Sequence, residues 1–231
     1  MVSDSPLLDQ RHRPSYPAAE AGRLVGLKAG RVRRWLKGYG YSYGDTVRYQ
    51  PPVLQRSGTR STSYASFLEL VDLLFVKRFL DHGVSLQRVR RALNEAHEIL
   101  GTDHFARQTF FTDGGNIFLQ IRDRGDAILE LLSEGQWVIA PLIRQLAEQI
   151  EFESPAGLAR RWYPLGRSRP VVLDPFVSFG APSIVGRGVK TANVHDLFVA
   201  ENESLVAVRA WWDLTEAEIE AAVEFEVGMA A

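Results

Sequence analysis

Within the stretch Tyr16–Tyr39, YPAAEAGRLVGLKAGRVRRWLKGY, two glycines four residues apart restrict what the chain can become. Gly22 and Gly26 lack the side chains that would hold a second helix away from the first, and Ala21, Val25, Leu27, Val32 and Trp35 supply an apolar seam at helical spacing. Two short helices crossing closely at a turn satisfy both features. With the seam inside, Lys28, Arg31, Arg33 and Arg34 are left on or beside the second helix, where cations meet the phosphates and base edges of a DNA major groove. The same pattern also describes an amphipathic helix pair with a solvated basic face.

Charge separates along the chain. Residues 1–60 hold eleven Lys or Arg against four Asp or Glu, a net of +7, while residues 196–231 hold nine acids against the single cation Arg209, a net of −8. The listless total of −1 over 231 residues conceals one end suited to a polyanion and another that repels it. The chain is long enough for one large or two small domains. It has no cysteine, which excludes disulfides, thiolate metal sites and cysteine nucleophiles. No secretory signal opens it, and apolar runs such as Phe67–Leu80 are interrupted by Glu69, Asp72, Lys77 and Arg78, so we expect a cytoplasmic protein with no membrane span.

Residues 1–15 read as a mobile arm whose Arg11 and Arg13 are placed to touch DNA. After the helix pair, GYGYSYGDTVRYQPP alternates aromatic with small or polar residues and predicts a short hairpin, or wing. Tyr41, Tyr43, Arg48 and Tyr49 then either press on a phosphate backbone or cover the edge of the core. Ser66 with Glu69 is a capping box opening a helix that runs to about His82, stopped by Gly83; Ser85 caps the next, with Leu86, Val89, Leu93 and Ala96 as its buried stripe. Arg88, Arg90 and Arg91 fall on its other faces, as phosphate contacts or as a solvated surface.

Residues 102–155 predict a hairpin around Asp113, Gly114 and Gly115, then helices over Asp126–Glu134 and Trp137–Ile150. Residues 156–170, AGLARRWYPLGRSRP, read as a connector, and residues 171–231 as a C-terminal domain. There, helices are expected over Ala192–Ala200 and Ser204–Trp211, with a last one opened by Thr215 and Glu218 and carrying Ile219, Val223 and Phe225. Its outer face is expected to display Glu216, Glu218, Glu220, Glu224 and Glu226, which assigns it to protein contacts and away from phosphates. The fold class is mainly α with short β-hairpins (α+β): a winged helix-turn-helix head at 16–101 plus a C-terminal three-helix domain of helix-turn-helix shape.

The head resembles the DNA-binding part of MerR-type regulators: Gly26, Leu27, Val32, Arg33 and Arg34 match the turn and recognition helix, and FVKRFLDHGVSLQRVRRAL matches the later helix pair. The resemblance implies that Arg33 grips the DNA backbone. MerR proteins usually continue into a long dimerising helix and an effector pocket, whereas here Gly101 is followed by the hairpin sequence. The C-terminal part, from LARRWYPLG through VVLDPFVSFGAPSIVGRGVKTANV to AWWDLTEAEIEAAVEFE, resembles the small helical domain of unknown function found in VapB-like antitoxins, although GRGVKT departs from the commoner GTRIPV-like wording. Taken together, the halves resemble the longer VapB-type antitoxins, which implies operator DNA, a PIN-like ribonuclease toxin and a homodimer or higher oligomer as partners, with repression of the chain's own operon.

Blocking such a nuclease calls for a group that engages a carboxylate cluster, and guanidinium suits this because it is permanently charged and binds bidentately. Arg160, Arg161, Arg167 and Arg169, interleaved with Trp162 and Tyr163, are the candidates for toxin binding, against interdomain packing as the plainer role. A ligand-responsive regulator is the alternative, with Phe105, Phe110, Phe111, Phe118 and Trp137 around a pocket or in an ordinary core. Catalysis is not expected. The five histidines, His12, His82, His97, His104 and His195, lack metal-ligand spacing, there is no phosphate loop or nucleophile elbow, and the GxG of Gly186 and Gly188 reads as a turn. Asp123 and Asp126 beside Arg122 and Arg124 read as a solvated turn, so no cofactor and no metal are expected.

Overall fold

A computed structural model describes residues 9–54, 56, 63–100, 104, 106, 145–146, 148–153 and 157–230. The hairpin expected near Gly114, most of the helices expected over residues 126–150 and the aromatic pocket residues lie outside the described residues. The described fold is α+β, with seven α-helices and four two-stranded sheets among those residues. It divides into two units, Met1–Ala147 with Phe152–Ala159 and Glu148–Glu151 with Arg160–Ala231.

In the first unit, α1 (Ala18–Val25) and α2 (Ala29–Lys37) form the close pair that the glycines require. The two glycines act differently. A Cβ on Gly22 would lie 2.3 Å from the Leu27 carbonyl oxygen, so this position sets the closeness of the turn. Gly26 instead supplies a left-handed cap at φ +71, while the Leu27 N–H reaches back to the Gly22 carbonyl at 2.7 Å. Gly22→Ala gains helix propensity but drives a methyl into backbone, for an expected net loss of about 1–2 kcal/mol. Thermal unfolding tests this, and an unchanged Tm would mean that the turn relaxes freely.

The centre of the unit is α3 (Phe67–Asp81), which packs against α1, α4 (Leu86–Leu100), β4 (Tyr64–Ala65) and the 3-10 turn Gln10–His12. Helices apolar on one stripe lie at a surface, and one buried all round is a core element. Phe67, Leu68, Leu70, Val71, Leu73, Leu74, Phe75 and Val76 are all buried, each contributing about 1.5–3 kcal/mol of apolar transfer. Two acids share this interior. Glu69 closes the capping box with Ser66 and binds Arg56, while Asp72 accepts from the Ala106 N–H at 3.0 Å and meets His104 Nδ1 at 2.7 Å. Burial pushes the Asp72 carboxyl up, outweighing the opposing pull of His104. β1 (Tyr16–Pro17) pairs with β4, and β2 (Tyr39–Tyr43) pairs with β3 (Thr46–Gln50) across a two-residue turn at Gly44 and Asp45.

In the second unit, α5 (Thr191–Ala200), α6 (Leu205–Trp212) and α7 (Glu216–Ala230) close over Ile184, Val194, Val208, Leu214, Ile219 and Ala222. Ser204 caps α6, and Thr215 with Glu218 opens α7 by reciprocal bonds. β7 (Val171–Val172) and β8 (Ser183–Ile184) pair antiparallel beneath α7. Three sequence expectations change here. Ile150 opens β5 (Ile150–Phe152) and does not end a helix. The connector at 156–170 contains β6 (Ala159–Trp162), paired with β5. Glu226, expected on the outer face of the last helix, is buried and accepts from the Thr191 hydroxyl, 35 positions away.

Candidate functional site

The orientation of α2 follows from three buried side chains, Val32, Trp35 and Leu36. With these inside, Lys28, Arg31, Arg33, Arg34 and Lys37 are all exposed on or beside one short helix. Among the described residues none of the five forms a salt bridge. Such clustering is repulsive unless an anion relieves it, and surface carboxylates do not. No side chain caps the N-terminus of α2, where the helix dipole adds further positive potential, and nothing lies within 4 Å of a Cβ built on Gly30. A backbone of opposite charge can therefore approach closely.

The β2–β3 hairpin continues this surface. Tyr39, Tyr41 and Tyr43 alternate with Gly40 and Ser42 and so share one face, with Arg48 directly opposite Tyr41. The Arg48 guanidinium lies 4.1 Å from the Tyr43 ring centre, and that of Arg34 lies 5.2 Å from Tyr39. Tyr41 and Tyr43 are exposed, and do not cover the core edge. Tyr49 is different: its hydroxyl donates to the Lys37 carbonyl at 2.7 Å, tying the hairpin to the end of α2. Gly38 suits this place, because its φ of +73 disfavours other residues and a Cβ would stand 2.6 Å from the Gln50 carbonyl oxygen as well as 2.3 Å from that hydroxyl.

Two of the other cations expected near DNA, Arg11 and Arg90, have local partners. Arg11 binds Asp9 and also Glu153 at 2.6 Å, and Arg90 donates to the carbonyls of Pro51 and Pro52 at 2.7 and 3.0 Å. Arg13 and Arg91 are exposed.

The second-unit arginines are bound into the fold. Arg161 donates through Nε to Asp174 at 2.8 Å and through Nη1 to Glu151 at 3.0 Å, and the Asp174 bond with these charges raises its already high pKa further. Arg160 stands 3.7 Å from Asp174, with its guanidinium 4.1 Å over the Phe176 ring. Arg167 donates to the carbonyls of Glu148 and Ile150 at 2.9 and 2.8 Å, and Arg169 pairs with Glu224. Trp162 is only 3% exposed, with its ring packed inside the unit. The sequence reading places it among the toxin-binding candidates, where an exposed ring is expected. The sequence reading also missed Asp174, a buried acid organising both Arg160 and Arg161, and it passed over Phe176 and Phe179; aromatic residues between Ser, Pro and Gly were the available signal. Among the described residues no cluster of three or more His, Asp or Glu could hold a metal ion, and no helix is long and apolar enough to cross a membrane.

No protein-family model matches the chain. It is weakly similar to an antitoxin and to helix-turn-helix regulators. A Mycobacterium tuberculosis protein named putative antitoxin VapB45 is 25% identical over 206 residues, spanning 84% of this chain and 86% of its own length. The uncharacterised HTH-type transcriptional regulators Mb1861 of Mycobacterium bovis and Rv1830 of M. tuberculosis are 31% identical over 123 residues, 53% of this chain and 50% of theirs. The X-ray crystal structure of Rv2018 from M. tuberculosis superposes with a TM-score of 0.68 at 24% identity, over 91% of this chain and 98% of that one. This last likeness concerns the fold.

Proposed function

We propose that the chain is an antitoxin that represses its own operon through its first unit and neutralises a PIN-like ribonuclease. The carrying observation is the surface of α2 and the hairpin: five exposed cations without salt bridges to described carboxylates, continued by Tyr41, Tyr43 and Arg48. In this reading α1 and α2 form a MerR-like helix-turn-helix, α2 enters the major groove, and β2–β3 is the wing on the flanking phosphates. A homodimer places two copies of α2 about one DNA turn apart, and the chain works in the cytoplasm by binding alone. Similarity to a protein named as an antitoxin over 84% of the chain supports the toxin-directed part.

The test pairs two measurements on the full chain. It is expected to retard its own promoter fragment with an affinity that falls steeply with salt, and to stop RNA cleavage by the nuclease encoded in the neighbouring gene. Promoter binding without nuclease inhibition would favour a transcriptional regulator that is no antitoxin, the reading to which the 31% identity with HTH-type regulators points. Failure to bind the promoter would remove the reading altogether.

A further inference from the structure

In the second unit, the loop between β7 and β8 holds Phe179 at 86% exposure on an unusual backbone. Ser178 and Phe179 are consecutive non-glycine residues with positive φ, 49 and 58. L side chains rarely adopt that conformation, and glycine would relieve it. A phenylalanine facing solvent gains no burial in return, and strained positions of this kind gather where a side chain must be presented.

The presentation is rigid. Val177 N–H bonds the Asp174 carbonyl and Gly180 N–H the Val177 carbonyl, both at 2.9 Å, and Ser178 Oγ donates to the Gly188 carbonyl at 2.7 Å. Asp174 also accepts from the Phe176 N–H at 2.9 Å while buried against Arg161, so the loop is anchored in β6. Phe176, itself half exposed, carries the Arg160 guanidinium 4.1 Å above its ring.

Charge decides what this platform fits. From Pro175 to Val194 the sequence has no carboxylate, and Arg187 and Lys190 are exposed. A nucleic acid is disfavoured, because an extended polyanion would run on from this patch over α7, which packs on β7 and β8 with Glu216, Glu220 and Glu224 exposed, whereas a local pocket need not reach them. A second copy is disfavoured as well, since a two-fold contact would oppose Arg160 and Lys190 to their own equivalents. The remaining fit is a different protein with an apolar pocket rimmed by carboxylates, where an aromatic anchor and an adjacent arginine act as binding hot spots.

We propose that Phe179 and Phe176, with Arg160, form the platform on which the nuclease docks. The identity of that partner rests on the antitoxin reading above, whereas the chemistry of the pocket follows from the platform. The test uses full-length chain and the purified product of the neighbouring gene, with affinity measured by calorimetry and inhibition by RNA cleavage. Phe179→Ala and Phe179→Gly are expected to weaken binding by at least about 30-fold, the size of a hot-spot truncation. Promoter binding and Tm should hold, with Tm rising for Phe179→Gly if the loop strain is released. Wild-type affinity in both variants would overturn the proposal. So would a smaller oligomer with nuclease affinity intact, which would make the patch a self-association surface. If wild-type chain binds its promoter but never the nuclease, the antitoxin reading falls and takes this partner with it, a result distinct from variants that bind as well as wild type.

Discussion

Arg56→Ala is expected to remove about 3–5 kcal/mol of unfolding free energy, the usual consequence of deleting one half of a buried ion pair. Arg56 donates through Nε and Nη2 to the two oxygens of Glu69 at 2.6 and 2.9 Å, and through Nη2 to the Tyr64 carbonyl at 2.6 Å. Both side chains are nearly enclosed, at 7% and 6% exposure. Without the guanidinium, Glu69 keeps the Ser66 N–H but loses its only described salt-bridge partner inside the core. The pH dependence follows. Burial pushes the Glu69 carboxyl up, yet the hydrogen bonds and charge of Arg56 outweigh it and hold the pKa below the ordinary glutamate value. A depressed folded pKa gives stability that is complete above the unfolded pKa and is lost as pH falls through the folded one. In Arg56→Ala burial is opposed only by the Ser66 N–H and the charge of His104, so acid sensitivity should begin nearer neutral pH. Urea unfolding at pH 7 and pH 5 measures both effects, and a loss below about 1 kcal/mol at pH 7 would mean that this pair holds little of the core.

Arg56 and Glu69 also mark what the sequence can and cannot convey. Ser66 and Glu69 announce a capping box because the interaction spans three residues, and the same locality makes Gly26, the Gly44 turn and the Thr215–Glu218 pair legible. The basic surface of α2 is legible for a related reason: Val32, Trp35 and Leu36 determine the buried side, so the cations must face out. Partner choice over distance is another matter. Nothing near Arg56 in the chain indicates that its carboxylate lies 13 positions on, and Glu226 looks like any exposed acid until Thr191, 35 positions earlier, turns it inward. β6 is hidden for the same reason, since two arginines in a short run suggest a solvated linker until Glu151 and Asp174 are brought alongside them. The positive φ of Phe179 has no sequence signature at all, because the neighbours that impose it are set by the fold.

Replacing Arg31, Arg33 and Arg34 together by alanine is expected to lower promoter affinity at least about 100-fold, if each guanidinium supplies a charge-assisted contact of about 1.5–3 kcal/mol. The fold should tolerate the change. All three side chains are exposed, none is in a described salt bridge, and alanine is the better helix former, so Tm should move little. Salt dependence then separates true phosphate contacts from general charge. Each lost contact reduces the slope of log affinity against log salt by about 0.9, so losing two or three of them flattens it by about 2–3. Singly, Arg33→Ala should weaken promoter and unrelated duplexes alike, as a phosphate clamp would, whereas a base contact by Arg31 should show as a loss concentrated on the promoter. A triple variant that still retards the promoter with an unaltered salt slope would place the DNA surface elsewhere in the molecule. It would also leave the cationic cluster on α2 without the polyanion that accounts for it.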